Sequence, residues 1–259
     1  MPGLGSAVTA SSPVLLKGKR KPGYNRRYIE VEEGGLLVWL ASYPRSGNTL
    51  LRAVLKQCFD LPSYSGDDGA AYDPEGELFK TVGQLVYRDS SREAFLESAR
   101  TSDALHLVKT HDEVPLPTDR AIYVVRDGRA AIASYQRFLR DFDHVDFSLE
   151  EIARGTRMAY SWGQHVERWM ANPADRLLVL RFEELSGSPP LESISEFLGR
   201  PVLRPFEVTF DDLNKLDPAF FGVGRNDPGT DLVERTCGDV FWEHNGPSMA
   251  RLGYRRDKK

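Results

Sequence analysis

The fold predicted for this chain is a single α/β domain with a central parallel sheet flanked by helices. Short apolar runs at Leu36–Ala41, Leu105–Val108, Ala121–Val125 and Leu177–Leu180 have the length of buried strands. Each run is followed by a turn and then by a segment of helical periodicity, and alternating strand and helix imply a parallel sheet with helices laid on it. A chain of 259 residues with 41% apolar content can bury a full core as one domain.

Taken in order, the N-terminal stretch places a short apolar piece, Pro13–Leu16, before the basic KGKRK. A secretory signal has the opposite order, so a solvated, partly disordered tail is expected over residues 1–30, with the domain over 31–259. The run LLVWLA leads into SYPRSGNT, Ser42–Thr49, and then into Leu50–Phe59, where Leu50, Leu51, Val54, Leu55 and Cys58 share one helical face. Strand, tight turn and helix in that order make an anion cradle. Gly47 permits close backbone approach, and the first amides of the helix point at a phosphate or sulfate.

The segment from Leu61 to about Ser98 is less regular and contains the turn-rich SYSGDDGAAYDPEGE with Tyr64 and Tyr72. It reads equally as a lid or acceptor loop and as an ordinary surface insertion. After Val125, a helix carries Ala131, Ile132, Tyr135, Phe138 and Leu139 on one face. A long helical segment from about Leu149 carries Ile152, Ala159, Trp162, Val166 and Trp169. MARLGY, Met249–Tyr254, reads as the last packed helix with Gly253 near its stop, and RRDKK as a solvated end.

A net charge of −4 and a pI near 5.8 argue against general nucleic-acid binding, so any anion site is local. Cys58 and Cys237 supply no disulfide framework; a buried free thiol at Cys58 suits a reducing compartment. No apolar run approaches the length of a membrane span, and a cytoplasmic protein is expected. The five histidines show neither HExxH nor paired-cysteine spacing, and a strand would put His106 and His111 on opposite faces, so no metal is expected. His144, His165 and His244 read as surface or core residues.

SYPRSGNT is close to a nucleoside-triphosphate P-loop, with two departures. Ser42 stands at the first glycine, and Asn48 stands where that motif has lysine; the positive charge sits at Arg45. ATP and GTP enzymes place the lysine on the transferred phosphoryl group and the next hydroxyl on magnesium, so this turn suits another phosphate-bearing donor. It resembles the TYPKSGTT loop of the sulfotransferases that use 3′-phosphoadenosine 5′-phosphosulfate, with Arg45 in place of the family lysine. VKTHDEV, Val108–Val114, resembles that family's KTHLP stretch, and VVRDGRAAIASYQRF, Val124–Phe138, resembles its second donor motif. The resemblance runs from about Leu36 onward, strong in these three blocks and weak between them.

The resemblance implies a P-loop-like sulfotransferase fold, with the phosphosulfate as donor, adenosine 3′,5′-bisphosphate as product, and no metal. It implies that Arg45, Ser46, Gly47, Asn48 and Thr49 cradle the donor, that His111 is the general base, and that Lys109 and Arg45 neutralise charge at the transferred group. Arg126 and Ser134 have the spacing of the residues that hold the 3′-phosphate. Arg129 in the same turn reads as a solvated helix-start residue, with contact to the anion as the alternative. Phe182 in LRFEEL stands where the family has an aromatic residue against adenine, or else fills the core; Leu50 replaces a family tryptophan, so the base pocket is altered.

The family's last donor loop aligns with GVGRNDPG, offering Gly224 and Arg225, or alternatively through Arg235 in ERTCGDVFW. The acceptor partner is an unidentified hydroxyl or amine compound, such as a small metabolite or a glycan, with no nucleic acid and no membrane span involved. Two other readings stay open: a P-loop-type small-molecule kinase and a non-catalytic nucleotide-binding module.

Overall fold

The computed structural model describes residues 37–65, 76–87, 91–111, 116, 118–207, 212, 213, 215 and 229–256. The tail expected over 1–30, and Gly224 and Arg225, lie outside the described residues. All six residues of β1 (Leu37–Ser42) are buried, as a strand covered on both faces requires. Around it the described strands β2 (Ser63–Tyr64), β3 (Gln84–Leu85), β4 (His106–Thr110), β5 (Arg120–Val125) and β6 (Leu177–Arg181) form one sheet in the order β3-β2-β4-β1-β5-β6. Every pairing is parallel. The α/β fold and parallel sheet read from the sequence are therefore present.

Successive side chains of a strand point to opposite faces, and here both faces are apolar. Trp39, Ala41, Tyr123 and Val125 pack on one side against α4 (Gly128–Asp141), α5 (Leu149–Arg154), α6 (Trp162–Met170) and the last helix, α9 (Gly229–Arg251); α3 (Arg92–Thr101) adds Leu96 and Ala99. Val38, Leu40, Ile122 and Val124 pack on the other side against α1 (Asn48–Phe59), α7 (Phe182–Leu185) and α8 (Leu191–Leu198). Trp39, Trp162 and Trp169 are wholly buried; truncating any of them to alanine costs about 3–5 kcal/mol. Cys58 and Cys237 are buried free thiols.

The structure differs from the sequence reading in three places. The long helix expected from Leu149 is two helices. Gly155 adopts a left-handed conformation (φ 86°) that stops α5, Ala159 also turns at positive φ, and Ser161 restarts α6 through a reciprocal capping box with Gln164. Residues 66–75, Tyr72 among them, and 88–90 lie outside the described residues, but the described part of the 61–98 segment is largely regular: it supplies β2, α2 (Glu77–Val82), β3 and α3, with Tyr64 and Tyr87 stacked and Phe95 against both. Two-residue strands are too short to leave an alternating signature. The last helix starts twenty residues before Met249 and bends at Cys237 (φ −147°). Gly253 does follow its end in a left-handed conformation (φ 77°).

Candidate active site

Parallel register aligns the carboxyl ends of the strands, where an open sheet binds ligands. Ala41 pairs with Thr110 and Ser42 with Val124, so His111 emerges on one side of the SYPRSGNT turn and Arg126 on the other. Val125 pairs with Arg181, which sets Phe182 beside Arg126. Three blocks distant in sequence thus meet along one edge.

The turn is closed by the Ser46 amide donating to the Tyr43 carbonyl at 3.1 Å, with Arg45 (φ 65°) and Gly47 (φ 109°) both left-handed. Only glycine takes the second of these without strain, and a Cβ there would stand 2.6 Å from Cδ2 of Phe182. Gly47 as N-cap leaves the start of α1 without a side-chain cap, and the first amides of a helix have no intrahelical acceptor. Among the described residues the buried Ser46 Oγ has no hydrogen-bond partner. An uncapped helix start, an unsatisfied hydroxyl and the Arg45 guanidinium fit a phosphate or sulfuryl oxygen, the chemistry of a phosphosulfate donor.

Asn48 and Thr49 open α1. The Asn48 side chain is turned away from the cradle: its amide donates to the Leu40 carbonyl at 2.7 Å and to Ser42 Oγ at 3.3 Å. The position that carries lysine in a P-loop is here an internal brace. Leu50, at the family's tryptophan position, is buried in the α1-side core.

His111 is half-buried just beyond β4. Its Nδ1 lies 2.7 Å from the Ser42 carbonyl oxygen, and a carbonyl only accepts, so Nδ1 carries the proton and Nε2 the lone pair. Burial first, then the neighbouring Lys109 charge, hold its pKa well below the ordinary imidazole value; the bond to Ser42 opposes this, and His165 and Arg45 add to the depression. The imidazole is therefore in its basic form at neutral pH. Lys109, on β4, is itself buried.

At the other end, Arg45 Nε donates to Ser134 Oγ at 3.4 Å, and Arg126 Nη1 donates to the Arg45 carbonyl at 3.3 Å. The Arg126 guanidinium lies 4.4 Å from the Phe182 ring centroid, and the Arg45 guanidinium 5.2 Å from that of Phe138. Arg45, Ser134, Arg126 and Phe182 are thus one cluster, and the Phe182 ring is buried within it. Arg129 departs from the solvated residue expected. Its side chain is 8% exposed and paired with Asp127 at 2.7 Å and Glu234 at 2.9 Å, because α4 packs its first turn against α9. Arg235 is exposed on α9.

Three residues near His111 were not read from the sequence as site residues. The His111 carbonyl accepts from His165 Nε2 at 2.8 Å and from the Tyr160 hydroxyl at 3.1 Å, and Tyr123 lies 2.8 Å from His165 Nδ1. A polar His165 between Trp162 and Trp169 on the apolar stripe of a helix was the available signal. Among the described residues no group of three or more His, Cys, Asp or Glu could hold a metal ion, and no helix is long and apolar enough to cross a membrane.

Residues 37–215 match the sulfotransferase domain family. The chain belongs to that family. It is 26% identical to human sulfotransferase 4A1 over 180 residues, covering 62% of this chain and 59% of that protein's length. It is 27% identical to a WSCD family member of Aedes aegypti over 194 residues, covering 69% of this chain and 55% of that protein. The fold is shared with mouse sulfotransferase SULT7A1 complexed with PAP, at a TM-score of 0.55 and 18% identity over 86% of this chain and 88% of that one. It is shared also with retinol dehydratase in complex with androsterone and the inactive cofactor PAP, at 0.59 and 17% identity over 85% and 82%.

Proposed function

We propose that this sulfotransferase-family chain moves a sulfuryl group from 3′-phosphoadenosine 5′-phosphosulfate to a hydroxyl or amine of an acceptor, with His111 as general base. The observation that carries the reading is the 2.7 Å bond from His111 Nδ1 to the Ser42 carbonyl, at the foot of the anion cradle. It orients the imidazole and leaves the Nε2 lone pair for the acceptor's proton. PAP, adenosine 3′,5′-bisphosphate, accompanies the two structural relatives named above, and the same nucleotide is proposed here.

When bound, the donor supplies the sulfuryl group and a bisphosphate leaving group. Gly47, Asn48 and Thr49 offer helix-start amides to the 5′ side, and Ser46, whose own amide closes the turn on Tyr43, offers its Oγ as a further donor. Arg45 and Lys109 neutralise charge developing on the transferred group and the leaving oxygen. Arginine holds its proton far too tightly to act as an acid, so Arg45 works as a fixed charge and Lys109 is the proton donor. Arg126 and Ser134 bind the 3′-phosphate, and Phe182 backs Arg126 against the turn. Buried free thiols are consistent with a reducing, cytoplasmic setting.

A kinase is disfavoured because Asn48 takes the P-loop lysine position and spends its amide on Leu40 and Ser42. The test is transfer from ³⁵S-labelled donor to a panel of phenol, sugar and amine acceptors, run beside His111→Ala. The variant is expected to lose transfer and keep PAP affinity. Full transfer by His111→Ala would remove the base assignment, and a wild-type protein that binds PAP but transfers to nothing, water included, would favour the non-catalytic module.

A further inference from the structure

His165 carries polar chemistry that the proposed reaction has not used. It is wholly buried on α6, walled by Tyr43, Tyr123, Tyr160 and Trp169 with ring centroids 5.5–6.5 Å away. Burying an imidazole is costly unless its nitrogens are satisfied, and here both are. Nε2 lies 2.8 Å from the His111 carbonyl, which only accepts, so Nε2 carries the proton. Nδ1 must then accept, and the Tyr123 hydroxyl, 2.8 Å away, donates to it. The chain of bonds runs one way, from Tyr123 through His165 to the backbone of His111.

The carbonyl it holds lies one residue past the end of β4, beyond the strand ladder. The Tyr160 hydroxyl donates to the same oxygen at 3.1 Å. On its side-chain end, His111 is tied to Ser42 by the Nδ1 bond. The residue is thereby anchored at the backbone from one layer of helices and at the ring from β1, which fixes where Nε2 points.

We infer that His165 is a positioning residue for the base: held as the Nε2–H tautomer by the His111 carbonyl and braced at Nδ1 by the Tyr123 hydroxyl, it clamps the His111 backbone so that the Nδ1 bond to Ser42 persists and Nε2 faces the acceptor. The inference rests on the reading of His111 as the base. A neutral imidazole suits the task, since a charged one would need a proton on Nδ1 and would break the bond from Tyr123; burial lowers the His165 pKa to about 3. Misplacing a reacting group by about an ångström costs up to about 100-fold in rate. Loss of the clamp is therefore expected in kcat and not in donor affinity, because the Arg126 and Ser134 cluster lies on the far side of the turn.

The experiment combines long-range ¹H–¹⁵N NMR of the histidines at pH 7.5, calorimetric titration with PAP, and release of inorganic ³⁵S-sulfate from labelled donor with water as acceptor. In the wild-type protein His165 is expected as the Nε2–H tautomer and His111 as the Nδ1–H tautomer. His165→Phe fills the space and removes both bonds; it is expected to mix the His111 tautomers and lower kcat about 10- to 100-fold with PAP affinity within about 2-fold. His165→Gln, which has an amide N–H for the His111 carbonyl and an oxygen for Tyr123, is expected to recover most of the rate. Tyr123→Phe, which leaves α6 intact, is expected to shift the His165 Nδ1 resonance while His165 stays the Nε2–H tautomer, because the His111 carbonyl still accepts from Nε2.

A wild-type His165 carrying its proton on Nδ1 would overturn the inference. So would a folded His165→Phe with an unmixed His111 and unchanged kcat, or a His165→Gln as slow as His165→Phe. Failure of the wild-type protein to bind PAP would remove the sulfotransferase reading instead, while the tautomer spectra would still decide whether His165 clamps His111.

Discussion

Replacing Gly47 with alanine tests whether the anion turn, Phe182 and Arg126 form one mechanical unit. An alanine at φ 109° is strained, at a cost of about 1–2 kcal/mol. Its Cβ would also stand 2.6 Å from Phe182 Cδ2 and 3.5 Å from Val124 Cγ1, so the buried ring has to move. Displacing a packed ring costs about a further 1–2 kcal/mol, and the sum, about 2–4 kcal/mol, corresponds to a melting temperature lower by about 5–15 °C. Because the same ring faces the Arg126 guanidinium at 4.4 Å, PAP affinity should fall at least about 10-fold, although alanine removes no contacting side chain. Thermal melts and calorimetry on Gly47→Ala, Phe182→Ala and the double variant give the assay. In the Phe182→Ala background the cost of Gly47→Ala should shrink to the backbone part, about 1–2 kcal/mol. Additive costs, or wild-type melting and PAP affinity for Gly47→Ala, would refute the coupling.

Other consequences are as specific. His165 is held at about 3 against an ordinary 6.5, so its stabilising effect is complete above pH 6.5 and is lost as pH falls towards the folded value. At pH 5 the loss is about 2 kcal/mol, with His111 acting in the same direction; urea unfolding of the wild type and His165→Phe should diverge in slope between pH 7 and 5, and parallel slopes would contradict this. Arg126→Ala should weaken PAP about 10- to 100-fold while leaving AMP unaffected, which paired titrations can check. Asn48→Lys restores the P-loop residue but puts a charge where a buried amide now bonds Leu40 and Ser42; it should lower stability by about 2–4 kcal/mol without creating ATP binding, as melts and titration with ATP would reveal.

What could be read in advance followed signal strength. The apolar run of β1 and the Ser42–Thr49 turn are local features, and the helical face of Leu50, Leu51, Val54, Leu55 and Cys58 is buried as its spacing implies. Parallel pairing of β1 with β4 and β5 then brings His111 and Arg126 to that turn, a convergence that alternating strand and helix already suggest. The two-residue strands β2 and β3 could not be read, because alternation needs more residues than they contain. The break between α5 and α6 was hidden because Ile152, Trp162, Val166 and Trp169 continue one apolar pattern through Gly155. Arg129 and His165 escaped for a common reason. Their polar partners, Glu234 and the His111 carbonyl, are 105 and 54 residues away in the chain, and only the packing of α4 on α9 and of α6 on the sheet brings them near.

The most direct test of the donor assignment is calorimetric titration of the purified protein with PAP, beside ATP and AMP, in the absence of magnesium. Tight binding that requires the 3′-phosphate is the result expected from the Arg45, Ser46, Arg126 and Ser134 arrangement. Selective ATP binding would contradict it in favour of a kinase, and a folded protein that binds none of the three would contradict a nucleotide-dependent function altogether.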